Sequence, residues 1–180
     1  DIVVGNALYQ FGETFRNLYA NAAVMRYYIR QARFLRIRNQ IASPGHCLIR
    51  KSAIPAYWLE NPMKINGSDD YYLWVLMFRD GVKTAQNPNP IYIHRNSEEG
   101  NLSFDLEKMH KSNLEMCDLL EKNRDYPRDA LEALRRSIQF KYLYDTRRLK
   151  PIDFLRYGDK LLDNGIYKIY TSVLKLFYGQ

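Results

Sequence analysis

Two carboxylates, Asp69 and Asp70, stand side by side in the stretch NGSDDYYLW, residues 66 to 74. A carboxylate aimed rigidly at a cleft can take a proton from an incoming hydroxyl, which is general-base work. The same pair has a purely structural use. If Ser68 caps a helix running to about Asp80, with Gly81 ending it, both acids fall in the first turn, where the positive end of the helix dipole favours negative charge. Leu73, Leu76 and Met77 would bury the helix body and fix the aim of its first turn. The pair alone leaves both uses open.

Few other residue types are spaced for chemistry. His46, His94 and His110 are far apart and match no metal-ligand spacing. There is no EF-hand loop, no glycine-rich phosphate loop and no G-x-S-x-G elbow. Cys47 beside His46 reads as a small core residue rather than a nucleophile. With only one other cysteine, Cys117, no disulfide framework is indicated and a reducing compartment is the simpler expectation.

The elements that must position these residues change character along the chain. Ile2 to Val4 is β-branched and reads as a buried strand, and residues from about Phe15 to Arg33 read as a helix. Leu35 to Arg38 alternates apolar and basic, as a half-buried strand would. Ser43-Pro44-Gly45 is a turn before a strand in HCLIRK, and NPNP, residues 87 to 90, is a turn before a strand IYI. RNSEEGN then reads as an exposed loop. After Asn101 helical patterns take over, about four of them between 104 and 178. Leu106, Met109, Met116 and Leu120 mark one apolar face, and Leu131, Leu134, Ile138 and Tyr142 another. Pro151 suits a helix start with Asp153 near its positive end, and Asn164-Gly165 suits a stop. Ile166, Ile169, Tyr170, Val173, Leu174 and Phe177 form a further stripe. All these stripes read first as packing.

The 180 residues are enough for one domain with a substantial core, and 46% hydrophobic with 26% charged residues reads as globular. The net charge is +7, and its placement is uneven. Between Thr14 and Leu59 there is no Asp or Glu, while Arg16, Arg26, Arg30, Arg33, Arg36, Arg38, Arg50 and Lys51 all fall there. Such a tract attracts anions, including phosphates and anionic lipid. No apolar run approaches the ~20 residues of a membrane span, and no signal peptide opens the chain.

Three stretches in order carry a family likeness. SPGHCLIRKSAIP (43 to 55), NGSDDYYLWVLMFRDG (66 to 81) and NPIYIHRNSEEGNLS (89 to 103) resemble the acceptor-side segment, the acidic motif and the closing strand with its Arg-containing loop of family-2 glycosyltransferases. The likeness covers residues 1 to 103, and no motif covers the helical tail, 104 to 180. It implies an α/β fold: part of a GT-A type mixed sheet with helices, followed by an all-helical C-terminal tail. It also implies inverting transfer from a nucleotide-diphosphate sugar to a glycan or lipid-linked acceptor. In that family pattern the second acid is the catalytic base, here Asp70. Asp69, Trp74, Pro44 and Gly45 map to the acceptor side, although Trp74 with Tyr71 and Tyr72 reads more readily as core. Arg95, Ser103 and His94 map to the donor phosphates, with His94 also a possible metal contact. The family holds a divalent metal, Mg or Mn, through Asp-x-Asp, and no Asp-x-Asp occurs here. DIVVGN resembles the strand that follows that motif, so the expectation is the C-terminal half of a longer enzyme that binds no metal by itself. A cytoplasmic location, peripheral at the inner face of the membrane through Arg26, Arg30 and Arg33, follows from the same likeness.

A competing reading is a basic helical module that docks on anionic membrane or nucleic acid. The lack of zinc-finger spacing, an RNA-recognition aromatic motif or a heptad zipper argues against nucleic acid. A third reading makes the tail a regulatory or oligomerising element. On the enzyme reading, this chain alone is expected to transfer no sugar. Product formation by the purified chain with a panel of nucleotide sugars would contradict that.

Overall fold

The structure, a computed structural model, describes residues 1–30, 35, 39–95 and 102–160, with 162, 165, 169, 172 and 173 beyond them; for Arg30 it describes the backbone only. Of the expected strand at Leu35 to Arg38 only Leu35 is described, and it is buried in a 3₁₀ conformation; the loop at 96 to 101, the sites at Arg33, Arg36 and Arg38 and most of the last stripe lie outside these residues. Ile169 and Val173, which are described, are helical and exposed.

The chain is mixed α/β. Strand β1 (Ile2–Phe11) is the axis of a four-stranded sheet. It pairs antiparallel with β2 (Thr14–Asn17) and β3 (Cys47–Ile49), and parallel with β4 (Thr84–Arg95). The helix expected from Phe15 begins instead at α1 (Ala22–Arg30), because Thr14–Asn17 is the second strand of a hairpin. Gly12, at φ 61°, supplies the left-handed residue such a tight turn demands. The side-chain oxygen of Asn21 then accepts from the N–H groups of Ala23 and Val24, which starts α1.

NPNP is also not a turn. It lies inside β4, where the register with β1 shifts between Gly5 and Ala7. Proline has no N–H to give a ladder, so two prolines are tolerated at an irregularity on a strand whose one partner among the described residues is β1. Ser43, Pro44 and Gly45 form the expected turn: Ser43 caps a 3₁₀ turn over Pro44–His46 that feeds β3.

Helix α2 (Ala56–Glu60) leads into α3 (Asp69–Arg79), which carries the acidic pair and ends before Gly81, at φ 75°. Then come α4 (Leu106–Lys122), α5 (Arg128–Asp145) and α6 (Pro151–Arg156). Asp153 accepts from the N–H of Lys150 at 2.9 Å, closing the start of α6. One buried cluster joins Ile2 and Val4 of β1, Met25 and Ile29 of α1, Tyr71 to Met77 of α3, Met116 and Leu120 of α4, and Leu131, Leu134 and Ile138 of α5. The predicted apolar faces of α4 and α5 are therefore packing faces. Leu106 and Met109, at the start of the α4 stripe, are less buried and line a cavity instead. Leu134 is fully buried on α5. Leu134→Ala is expected to lower stability by about 2–5 kcal/mol. Urea unfolding should report it as a lowered midpoint of a single transition, and an unchanged midpoint would contradict the shared core.

Candidate functional site

The loop before α3 is held from the helical tail. The N–H of Ser68 donates to Ser112 Oγ at 2.9 Å, and that hydroxyl donates to the Ile65 carbonyl at 2.9 Å. Glu115 accepts from the N–H groups of Lys64 and Ile65, at 2.8 and 2.7 Å. Gly67 has φ 145°, a conformation that favours glycine, and a Cβ there would also meet the flexible Met109 side chain, at 2.9 Å from Sδ. Ser68 occupies the cap position as expected, but its hydroxyl does not cap the helix. It donates to Asn113 Oδ1 on α4 at 3.0 Å. Tertiary anchoring has displaced the local bond.

Asp69 and Asp70 take different environments from adjacent positions. Asp69 is exposed, and its carbonyl accepts from Trp58 Nε1 at 3.2 Å. Asp70 is largely buried, and Asn39 Nδ2 donates to it at 3.4 Å. Burial, aided by the charge of Asp69, pushes the Asp70 carboxyl up to about 7, while the backbone N–H of Tyr71 pulls the other way. The first-turn dipole alone predicts an easily ionised acid; desolvation outweighs it. The proton affinity therefore falls where a base at neutral pH is most effective.

Asp70 lines a cavity of about 190 Å³ together with Asn39, Ser103, Met109, His110, Asn113, Ser137 and Tyr142. Of the residues named from the sequence, the structure brings Asp70 and Ser103 to this cavity. Trp74 is fully buried in the core, the reading that its place beside Tyr71 and Tyr72 favours, and presents no surface to a ligand in this structure. The apolar body of α3 needs that ring inside. Pro44 and Gly45 are exposed on the 3₁₀ turn, and Gly45 lies against the Tyr92 ring. Arg95 is exposed at the end of β4, and His94 packs edge-on against Tyr9 with ring centroids 4.9 Å apart. Burial lowers the pKa of His94.

His46 is buried with both ring nitrogens engaged. Nδ1 lies 2.7 Å from the Gly5 carbonyl and Nε2 accepts from the Ser43 N–H, so the network assigns the proton to Nδ1. Burial lowers its pKa, and the imidazole stays neutral. The Cys47 thiol is pushed up to about 12 by burial and by the charge of Asp70, and it donates to the Ser43 carbonyl. A thiol so reluctant to ionise is no nucleophile. Among the described residues no three His, Cys, Asp or Glu side chains converge as metal ligands. Among the described residues around His94, no such set of ligands stands beside its ring. Among the described residues no helix is long and apolar enough to cross a membrane, and Arg26 of the basic tract is exposed.

Sequence reasoning missed Asn39, His110, Asn113, Ser137 and Tyr142. Each belongs to a stretch with an adequate local reading, a basic tract or a helix face, and reaches Asp70's cavity only through packing. No local pattern could have found them.

The acidic pair makes a pH-dependent prediction. Asp70 holds its proton to about 7 when folded and to about 3.9 when unfolded. Between those values the folded state binds more protons, so this group's contribution to stability falls as pH rises from about 4 to 7. Asp70→Asn is expected to match the parent near pH 4 and to exceed it by on the order of 1–4 kcal/mol above pH 8. Urea midpoints at the two pH values measure this, and an equal difference at both would contradict a desolvated carboxyl. Comparison with family models, curated proteins and solved structures finds no match to this chain.

Proposed function

We propose that this chain is the acceptor-side part of an inverting sugar transferase of the family-2, GT-A type, with Asp70 as general base. The observation that carries the reading is a half-desolvated carboxyl at the start of a buried helix, facing a cavity, with its proton affinity near neutrality. The three ordered motifs of residues 43 to 103 support the same class.

In the proposed step the acceptor hydroxyl gives its proton to Asp70 as its oxygen attacks the anomeric carbon of a nucleotide-diphosphate sugar. The new C–O bond forms on the face opposite the departing diphosphate, the anomeric C–O bond to that phosphate breaks with its electron pair, and configuration inverts. Asp69 acts through Asp70: its charge raises its neighbour's proton affinity and so its strength as a base. Ser103, on the same cavity, and Arg95, whose guanidinium fork suits phosphate, are the residues assigned to the leaving diphosphate. The acceptor is a glycan or a lipid-linked sugar, and the basic tract is the part that would meet an anionic membrane surface.

The test uses the protein that carries both this chain and a nucleotide-binding half. Asp70→Asn is expected to lower turnover by about 10²–10⁴-fold with donor binding retained. The parent's kcat/KM should rise with pH and level off above about 7, because the base works deprotonated. Unchanged turnover in Asp70→Asn would remove Asp70 from the reaction.

A further inference from the structure

The cavity beside Asp70 is built on its far side by α4 and α5, and that wall carries polar atoms with nothing to bond. Ser137 is only 4% exposed, and its Oγ is buried without a hydrogen bond. His110 Nδ1 is likewise buried without one. Both residues line the cavity. Buried polar atoms without partners cost stability, and two at one cavity call for an explanation. The His110 ring lies flat on Tyr142, with centroids 4.0 Å apart and planes within 10°. Tyr142 is itself fixed: it donates to Glu107 at 2.5 Å and accepts from Arg148 at 2.7 Å. The His110 ring is thus held in place on the cavity wall, with Ser137 on the same wall.

Its size and charge narrow the ligand. About 190 Å³ lies below the roughly 300–1,000 Å³ of sites for drug-sized molecules. The charged groups on the cavity are Asp70, Lys141 and Asp145, with Asp69 adjacent to the first. Lys141 and Asp145 are paired with each other, which leaves Asp70 as the uncompensated charge. A second carboxylate would be repelled. Ile138, Met109 and Leu106 supply an apolar surface beside the polar atoms.

We infer that the α4–α5 wall is a recognition subsite for a single neutral sugar ring, whose hydroxyls satisfy Ser137 Oγ and His110 Nδ1 while its apolar face rests on Ile138 and Met109. This rests on the acceptor-side reading of Asp70 and names the acceptor class: an uncharged hexose-sized terminus. It also gives the helical tail a part in specificity.

The experiment titrates this chain with neutral methyl hexosides and, separately, with methyl hexuronates at pH 8, following backbone amides by NMR. A neutral hexoside is expected to shift amides around Asp70, His110 and Ser137, and the hexuronate to bind at least several-fold more weakly. Ser137→Ala should weaken the neutral ligand by about 2- to 10-fold, the range for one lost hydrogen bond. The same change should leave the ligand-free melting temperature unchanged or higher, because it removes an unsatisfied hydroxyl. A hydroxyl with a merely structural role would lower it. No shifts at these residues with any neutral hexoside, equal binding of hexuronate, or undiminished binding in Ser137→Ala would each overturn the inference. The charge comparison needs no variant, so a misfolded mutant does not blunt it. Lost turnover in Asp70→Asn with no hexoside binding at this wall would sink the subsite and leave the base standing. Hexoside binding as expected with unchanged turnover in Asp70→Asn would do the reverse.

Discussion

Helix α3 is apolar on nearly every side, and the molecule is arranged to keep it dry. Seven consecutive residues, Tyr71 to Met77, are buried. A helix of that kind has no solvent face and must be covered all round. Leu35 and Ile41, the residues of β1 and α1, and the packing faces of α4 and α5 share its cluster. Burying the body leaves the ends of α3 to meet solvent, and at the first of them the chain has placed its two acids. Asp69 turns out to water and Asp70 turns inward. The raised proton affinity of Asp70 is thus a consequence of how the core is closed around its helix.

The helical tail enters this arrangement twice. It supplies core side chains, and through Ser112, Asn113 and Glu115 it binds the backbone and cap of the loop that leads into α3. These bonds set where the first turn begins, and so where Asp70 points. Residues read from the sequence as a separate run of helices are physically continuous with the acidic motif. The same helices line the cavity beside Asp70.

The parts of the fold that the sequence made legible are those with a local cause. The N- and C-terminal limits of α3 followed from Ser68, the acids and Gly81; the 3₁₀ turn from Ser43 and Pro44; the start of α6 from Pro151 and Asp153. The failures have a common origin. Phe15 to Asn17 and NPNP carry local helix and turn preferences, yet both are strands, because β1 pairs with them. Strand pairing is a non-local interaction that overrides weak local propensity. Trp74 was ambiguous between core and ligand surface until the packing of α3 put it inside.

The sequence by itself determined that two carboxylates open a helix whose body is apolar, and that this motif follows the Ser43-Pro44-Gly45 turn. Those are matters of residue type and spacing, which need no third dimension. Only the tertiary structure decided that the two acids differ, one exposed and one desolvated, and that Asn39, His110 and Ser137 stand around the second. Proton affinity depends on surrounding dielectric and charge, and apart from Asp69 and the Tyr71 N–H the groups that wall Asp70 off from water are separated from it by tens of residues along the chain.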